Sequence, residues 1–453
     1  MLAKLFKKFN LKHRNLKPEL VNNTAHDKID NFQPTNPKIL ALIFFTIFID
    51  LVGVGILIPV FPLLILPGSE FKVTPNSWST QQGYILLGYL AAAFPFAQFI
   101  CSPILGQLAD RYGRKKILAL SIFGTSVTYI LFAIGVITKN IPLMFISRIL
   151  DGCTGGNISV AQAVIADIST PKNRAKNFGL VGMSFGLGFI FGPFLGGKLS
   201  DPATISWFNA ATPFYFAAAL SILNVTFVLK FLPETLKITK SSRIDITRPF
   251  NNIAKAFSYH GLRNVMPATF LFNSGFTFFS TFFAIILASK YGFTQGHIGN
   301  YFAYIGIMIV CAQMLVIRRI SGKVNDYSML RFSMFGTAIC LLVYYFIPSN
   351  HAHLIYFVPP FMATFNALTF SFNAALVTRV TPSNIHGESL GINSSIMALA
   401  QTIPAIIAGY IATINSNLPI FVGSGIIFLG GLSFWWLFKP NNFKVVAPIT
   451  RSN

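Results

Sequence analysis

The sequence predicts an all-α membrane protein with twelve transmembrane helices in two pseudo-symmetric six-helix bundles. Composition is the first reason. The chain has 453 residues, 53% hydrophobic and 11% charged, with mean hydropathy +0.61, whereas a soluble chain carries about 25% charged residues. Its apolar residues also fall in runs of the ~20 residues that cross a hydrocarbon core. Positive charge, finally, alternates between the two sides of those runs. Of the 35 Lys and Arg, Lys72, Lys139, Lys198 and Lys290 fall in odd-numbered loops and Arg148 inside a span. The others lie in the termini and the even-numbered loops. Such a bias sets orientation during insertion and puts both termini in the cytoplasm. The net charge of +22 therefore reads as topology in a lipid bilayer, and nucleic acid is not an expected partner.

Residues 1–37 read as a polar, basic cytoplasmic tail, without the apolar core or cleavage site of a signal peptide. The first bundle covers residues 38–232, with spans at roughly 38–66, 82–108, 115–138, 141–167, 175–199 and 210–232. A basic central loop, residues 233–262, carries Lys237, Lys240, Arg243, Arg248 and Lys255. The second bundle covers 263–438, with spans at roughly 263–290, 297–320, 328–347, 352–379, 387–414 and 418–438. Residues 439–453 form a second cytoplasmic tail. Phe178-Gly179 precede Pro193 in span 5 much as Leu390-Gly391 precede Pro404 in span 11. Parallel halves with a site at their interface near the midplane recur among transporters. Trp435 and Trp436 close span 12 as aromatic belts do.

Few charges sit at depth. Asp50 lies roughly 18 Å past Lys38, and Asp151 roughly 15 Å into span 4, at about 1.5 Å per residue. Arg148 precedes Asp151 by one turn on the same face. Charge at that depth is costly and usually marks an ion or substrate path; a structural Arg–Asp pair is the other reading. In span 5, the Gly-x-x-x-Gly spacing of Gly188 and Gly192 leaves one face without side chains, extended by Gly182 and Gly186, so another backbone can approach. Pro193 has no N–H to give and bends the helix. That face is either ordinary packing or a seam that moves. Between spans 2 and 3, a tight polar loop carries Gly106, Asp110, Arg111, Gly113 and Arg114. Asp110 can pair with the arginines or face a helix N-terminus. The loop is then a topology signal that binds anionic lipid, or a gate latch whose contacts exist in one conformation only.

The stretch from Gly106 to Lys116 resembles the signature between helices 2 and 3 of the major facilitator superfamily: Gly106, Asp110, Arg111, then Gly113-Arg114-Lys115. Its second-half counterpart, near Arg318 to Arg331, is degenerate. Gly188-x-x-x-Gly192-Pro193-x-x-Gly196-Gly197 resembles the antiporter motif of drug–proton antiporters. Asp50-x-x-Gly53-x-Gly55-x-x-x-Pro59 is similar to the first helix of tetracycline-efflux transporters. Arg148 followed by Gly152 matches the family's Arg-x-x-x-Gly element, implicated in proton coupling, and Asp167 also fits. The resemblance covers nearly the whole chain and is strongest over residues 40–200.

The resemblance implies a monomeric secondary transporter of a bacterial inner membrane that exports a small amphipathic molecule in exchange for protons, by alternating access. Asp50 or Asp151 would carry the proton, beside Arg148. Spans 1, 4, 7 and 10 would line the cavity. Gln98, Asn157, Asn273, Asn366, Asn373 and Gln401 are candidate substrate contacts among 48 Phe; interhelix hydrogen bonding is the competing reading for each. A metabolite or siderophore transporter is the alternative function. A transport-dead scaffold is a remoter one, against which the deep charges argue. The sequons at Asn22, Asn157, Asn224 and Asn393 fall outside the outer loops, which favours a bacterial membrane. Cys101, Cys153, Cys311 and Cys340 all lie in spans, with neither a disulfide framework nor metal-ligand spacing. No phosphate-binding Gly-rich loop and no nucleophile–base constellation occurs, so no cofactor, metal or enzymatic activity is expected.

Overall fold

The computed structural model describes residues 37–169, 173–236, 244–259, 261–320, 323–381 and 386–438. Nearly all of residues 1–37, and 439–453, lie outside that set. The first half contains α1 (Pro37–Ile65), α2 (Thr80–Tyr112), α3 (Arg114–Ile137), α4 (Ile141–Thr154), α5 (Asn157–Asp167), α6 (Arg174–Leu199) and α7 (Thr212–Phe231). After a short α8 (Arg248–Ser258) come α9 (Leu262–Tyr291), α10 (Gln295–Cys311), a π-helical turn (Ala312–Ile317) and α11 (Arg318–Ile320). Next are α12 (Asp326–Phe346), a 3-10 segment (Ser349–Phe357), α13 (Pro359–Arg379), α14 (His386–Ile414) and α15 (Leu418–Leu437).

Among the described residues, 9 helices are long and apolar enough to cross a membrane, or 10 if Ser349–Phe357 and Pro359–Val377 form one bent span. The two remaining expected spans are α6 and the broken pair α4–α5. The 49° bend in span 10 falls where Pro359 and Pro360 supply no N–H donors. The polar loop expected between spans 2 and 3 is mostly helix: α2 runs to Tyr112, and Gly113 alone makes the turn, at φ 104°, which a residue with a Cβ rarely adopts. The central loop holds α8, whose Pro249, Asn252 and Ala256 are buried while Phe250 and Phe257 are exposed. Its basic charges hide that amphipathic period in a scan for apolar runs.

Within each half, α1 packs on α6, α3 on α7, α9 on α15 and α12 on α13. Across the halves, α2 packs on α14 and α6 on α10. These are the proline-bearing repeats of spans 5 and 11 and their partners. The tightest crossings lie at the end away from the α2–α3 turn. There a Cβ on Gly88 would sit 2.7 Å from the Ala405 carbonyl, and one on Gly197 2.8 Å from Gly299 Cα. Tyr84 meets Phe282 edge-on at the same end, 5.9 Å between centroids. At the opposite end, α8 spans the seam. Gln107 of α2 exchanges two hydrogen bonds with the Asp245 main chain (3.1 and 2.7 Å), and Asn252 donates to Ser395 of α14 at 3.1 Å.

Candidate functional site

The deep charges of the sequence converge inside the first half. Asp50 is 7% exposed, and neither of its carboxylate oxygens has a close hydrogen bond among the described residues. Asn157, fully buried at the start of α5, interacts with it, and Asp151 lies within electrostatic reach. Arg148 Nη1 lies 2.8 Å from Asp151 Oδ2, while its guanidinium sits over the Phe94 ring, 4.8 Å from the centroid. Thr128 Oγ1 donates to Asp151 Oδ1 at 3.4 Å. The buried Tyr129 lies among these charges. Its hydroxyl rests against Gly53, one turn from Asp50, where a Cβ would collide with it. Arg148 is therefore paired and stacked, whereas Asp50 meets the Asn157 amide, with Asp151 and Tyr129 nearby and no cation paired to it among the described residues.

Span 4 is not one helix. It breaks between Thr154 and Asn157, at Gly155-Gly156. A break at this depth frees carbonyls that lipid cannot satisfy. Two of them find side-chain donors, Thr154 O from Ser121 of α3 and Gly155 O from Gln98 of α2 at 3.0 Å, while Gly156 O accepts the Ser159 main-chain N–H at 3.1 Å and its hydroxyl at 2.6 Å. Gln98, a candidate substrate contact by sequence, is thus occupied in closing the backbone of the break.

The glycine face of α6 addresses two helices. Gly188, Gly192 and Gly196 lie against Leu51, Gly55 and Ile56 of α1. A Cβ on Gly192 would stand 2.8 Å from Gly55 Cα and 2.9 Å from Val52 O, both on α1. Gly197, the next residue after Gly196, faces across the seam to Gln295 and Gly299 of α10. The motif that sequence treats as one unit therefore joins an intra-bundle contact to an inter-bundle one.

At the α2–α3 turn, Arg114 is the hub. It pairs with Asp110 at 2.5 Å and with Asp167 at the end of α5 at 3.3 Å. Glu234, just beyond α7, accepts the Arg114 and Lys115 main-chain N–H groups at 2.9 and 3.3 Å. Thr235 donates to Asp167 at 3.2 Å. Arg111 lies over Tyr112, and nothing comes within 4 Å of a Cβ built on Gly106. Among the described residues, the charged partners of this network lie in the first half and, with Glu234, at the start of the central loop. In the second half the corresponding place, between the start of α12 and the end of α13, holds Asp326 and Arg379 at 2.9 Å. The pair survives with its signs exchanged. A motif search for the basic signature misses it, as it misses Glu234.

The second-half amides are mostly engaged with one another. Asn273 donates to Thr269 O at 2.8 Å. Asn373 accepts from Thr269 at 2.7 Å and donates to Asn393 at 3.4 Å. These two amides line a cavity of about 10 Å³ with Thr269, Phe272 and Phe370, room for roughly one water molecule. Asn366 is buried on α13 and Gln401 is exposed on α14. The amide set expected to face one substrate is dispersed: Asn157 beside Asp50, Gln98 at the break, and Asn273 and Asn373 within the second bundle.

The Major Facilitator Superfamily profile matches residues 43–403. The chain is 28% identical over 413 residues to "Multidrug resistance protein 2" of Bacillus subtilis, covering 89% of this chain and 96% of that one. It is 30% identical over 301 residues to the class H tetracycline resistance protein of Pasteurella multocida, covering 66% and 70%. It is 25% identical to the quinolone resistance protein NorA of Staphylococcus aureus, covering 87% and 95%. In fold it is similar to the D-xylose–proton symporter (TM-score 0.71, 14% identity, 88% and 97% covered) and to the human organic anion transporter MFSD10 (0.67, 20%, 89% and 100%). An all-helical architecture with 9 to 10 candidate spans among the described residues, a matching profile over most of the length and full-length likeness to efflux proteins agree: the chain belongs to the major facilitator superfamily and is an integral membrane secondary transporter.

Proposed function

We propose that the protein exports a small amphipathic molecule from a bacterial cell in exchange for protons, with the α2–α3 turn on the cytoplasmic side of the inner membrane. The observation that carries this reading is Asp50, a buried carboxylate with no cation and no close hydrogen bond among the described residues, one turn from the face that packs on α6. A buried carboxylate with no partner can hold a proton in place of one. Asp151 is already held by Arg148 and Thr128, so Asp50 is the proton carrier and the Arg148–Asp151 pair the fixed charge beside it. Likeness to multidrug, tetracycline and quinolone resistance proteins supports an efflux substrate of that chemical kind.

The close crossings at Gly88 and Gly197 support an inward-facing state, closed on the outer side. Alternating access would exchange them for contacts on the cytoplasmic side. The Arg114 network supports a latch that stiffens the first half as one rocking body. The test is pH-gradient-driven uptake of a fluorescent amphipathic cation into everted vesicles. Asp50→Asn is expected to abolish concentration against the gradient while downhill exchange persists, because the amide keeps the shape and loses only the proton. Asp151→Asn should lower the rate without uncoupling. Concentrative uptake by both Asn variants would refute proton antiport.

A further inference from the structure

Cys101 of α2 and Cys153 of α4 face each other, with 2.7 Å between their sulfurs. Both are free thiols and partly exposed, whereas Cys311 is exposed elsewhere and Cys340 is buried. They sit in a seam of small residues. A Cβ on Gly152 would lie 2.7 Å from Ala97 Cβ, and one on Gly156 2.8 Å from Ser102 Cα. A disulfide closes at about 2.05 Å between sulfurs, so the two thiols are near enough to react with each other. Cys153 is also the last residue but one before the break that ends α4 at Thr154, and it follows Asp151 by two positions. Any bond at this point would pin the hinge of span 4 to α2.

We propose that Cys101 and Cys153 form a redox modification site, oxidised to a disulfide by a lipid-dissolved two-electron oxidant of the quinone class, and that this bond immobilises the break in span 4. Two S–H bonds break and one S–S bond forms. The two electrons and two protons reduce the quinone to its quinol. The reverse reaction is thiol–disulfide exchange with a small dithiol. Cys101 lies on a helix long and apolar enough to cross a membrane and Cys153 on the helix packed against it, within reach of oxidants dissolved in lipid.

The full-length protein, with Cys311 and Cys340 replaced by Ser, is reconstituted in lipid nanodiscs and treated with diamide, whose N=N bond takes the same two electrons and two protons. Expected are loss of both alkylatable thiols after denaturation, a linked peptide joining residues 101 and 153 on mass spectrometry, and return of both thiols with dithiothreitol. Amide hydrogen exchange over residues 152–160 should slow several-fold in the oxidised protein. Cys101→Ser should retain one alkylatable thiol and unchanged exchange under diamide. Two thiols that remain alkylatable, or that link only between molecules, would overturn the site. An intramolecular bond that leaves exchange over 152–160 unaltered would overturn its role at the hinge. Neither readout depends on proton coupling, so the outcome is separable from the antiport reading.

Discussion

Replacing Gly192 and Gly197 one at a time by Ala separates the two jobs of the glycine face. Each change adds a single Cβ to α6, five residues apart. At Gly197 that atom would stand 2.8 Å from Gly299 Cα and 3.0 Å from Gly299 N, where ordinary contact begins near 3.4 Å. The Gln295 carbonyl oxygen is nearer still, so the α6–α10 crossing must open by more than roughly 0.6 Å or the Cβ must be accommodated under strain. Overpacking of this kind costs about 1–3 kcal/mol. If the contact exists only in the outward-closed state, the whole cost falls on that state and shifts the population by roughly five- to 150-fold toward its alternative. At Gly192 the same atom meets Gly55 Cα at 2.8 Å, within one bundle, so the cost falls on both states alike. A reporter cysteine at Ala405, 1% exposed in the α2–α14 seam, is followed by maleimide labelling in a chain whose other cysteines are Ser. Gly197→Ala should label faster with little change in melting temperature. Gly192→Ala should melt earlier and label as the parent does. Identical behaviour of the two variants, in either assay, would refute the division.

Glu234→Ala removes both acceptors at the N-terminus of α3; helix caps contribute about 0.5–2 kcal/mol. A lower melting temperature and slower transport are expected, with Glu234→Gln intermediate and wild-type values for both counting against a latch. Gly53→Ala drives a Cβ into the Tyr129 hydroxyl, so transport should fall and should recover in part in Gly53→Ala with Tyr129→Phe, which removes the oxygen; an unimpaired single variant would disprove the contact. Cysteines placed at Ser69 and Asn350 should react with an impermeant maleimide in intact cells, while one at Thr247 should react only after permeabilisation; reactivity of all three from outside would invert or break the topology.

The spans and the deep charges were legible because hydropathy and charge are local properties. A run of about 20 apolar residues is a span whatever surrounds it, and Asp50 within such a run is conspicuous. Arg148 and Asp151 could be paired by helical spacing alone, and the structure pairs them at 2.8 Å. Relations across the chain were not legible. Glu234 meets Arg114 from a distant part of the sequence, and its own surroundings carry no pattern. Asp326 and Arg379 keep the place of Arg114 and Asp167 with the signs exchanged, which defeats a search by residue type. The break in span 4 was hidden because Gly155-Gly156 is tolerated within an apolar run, where hydropathy hardly changes. The hydrogen bond made by Gln98 was hidden for the same reason. Its partner is a carbonyl freed by a break that the sequence does not announce.

That break has a consequence for biogenesis. A continuous apolar helix can rest in lipid as soon as it leaves the translocation machinery, since its backbone groups are paired within it. Span 4 cannot. Two of its freed carbonyls are satisfied by Gln98 and Ser121, which belong to spans 2 and 3 and are synthesised earlier. The hairpin of spans 2 and 3 therefore has to be in place, with those two side chains turned inward, when span 4 arrives. Until it docks, span 4 exposes polar backbone to hydrocarbon. The first half is thus assembled in an order fixed by hydrogen-bond donors as well as by hydropathy. Loss of Gln98 or Ser121 would register first in how much protein reaches the membrane intact.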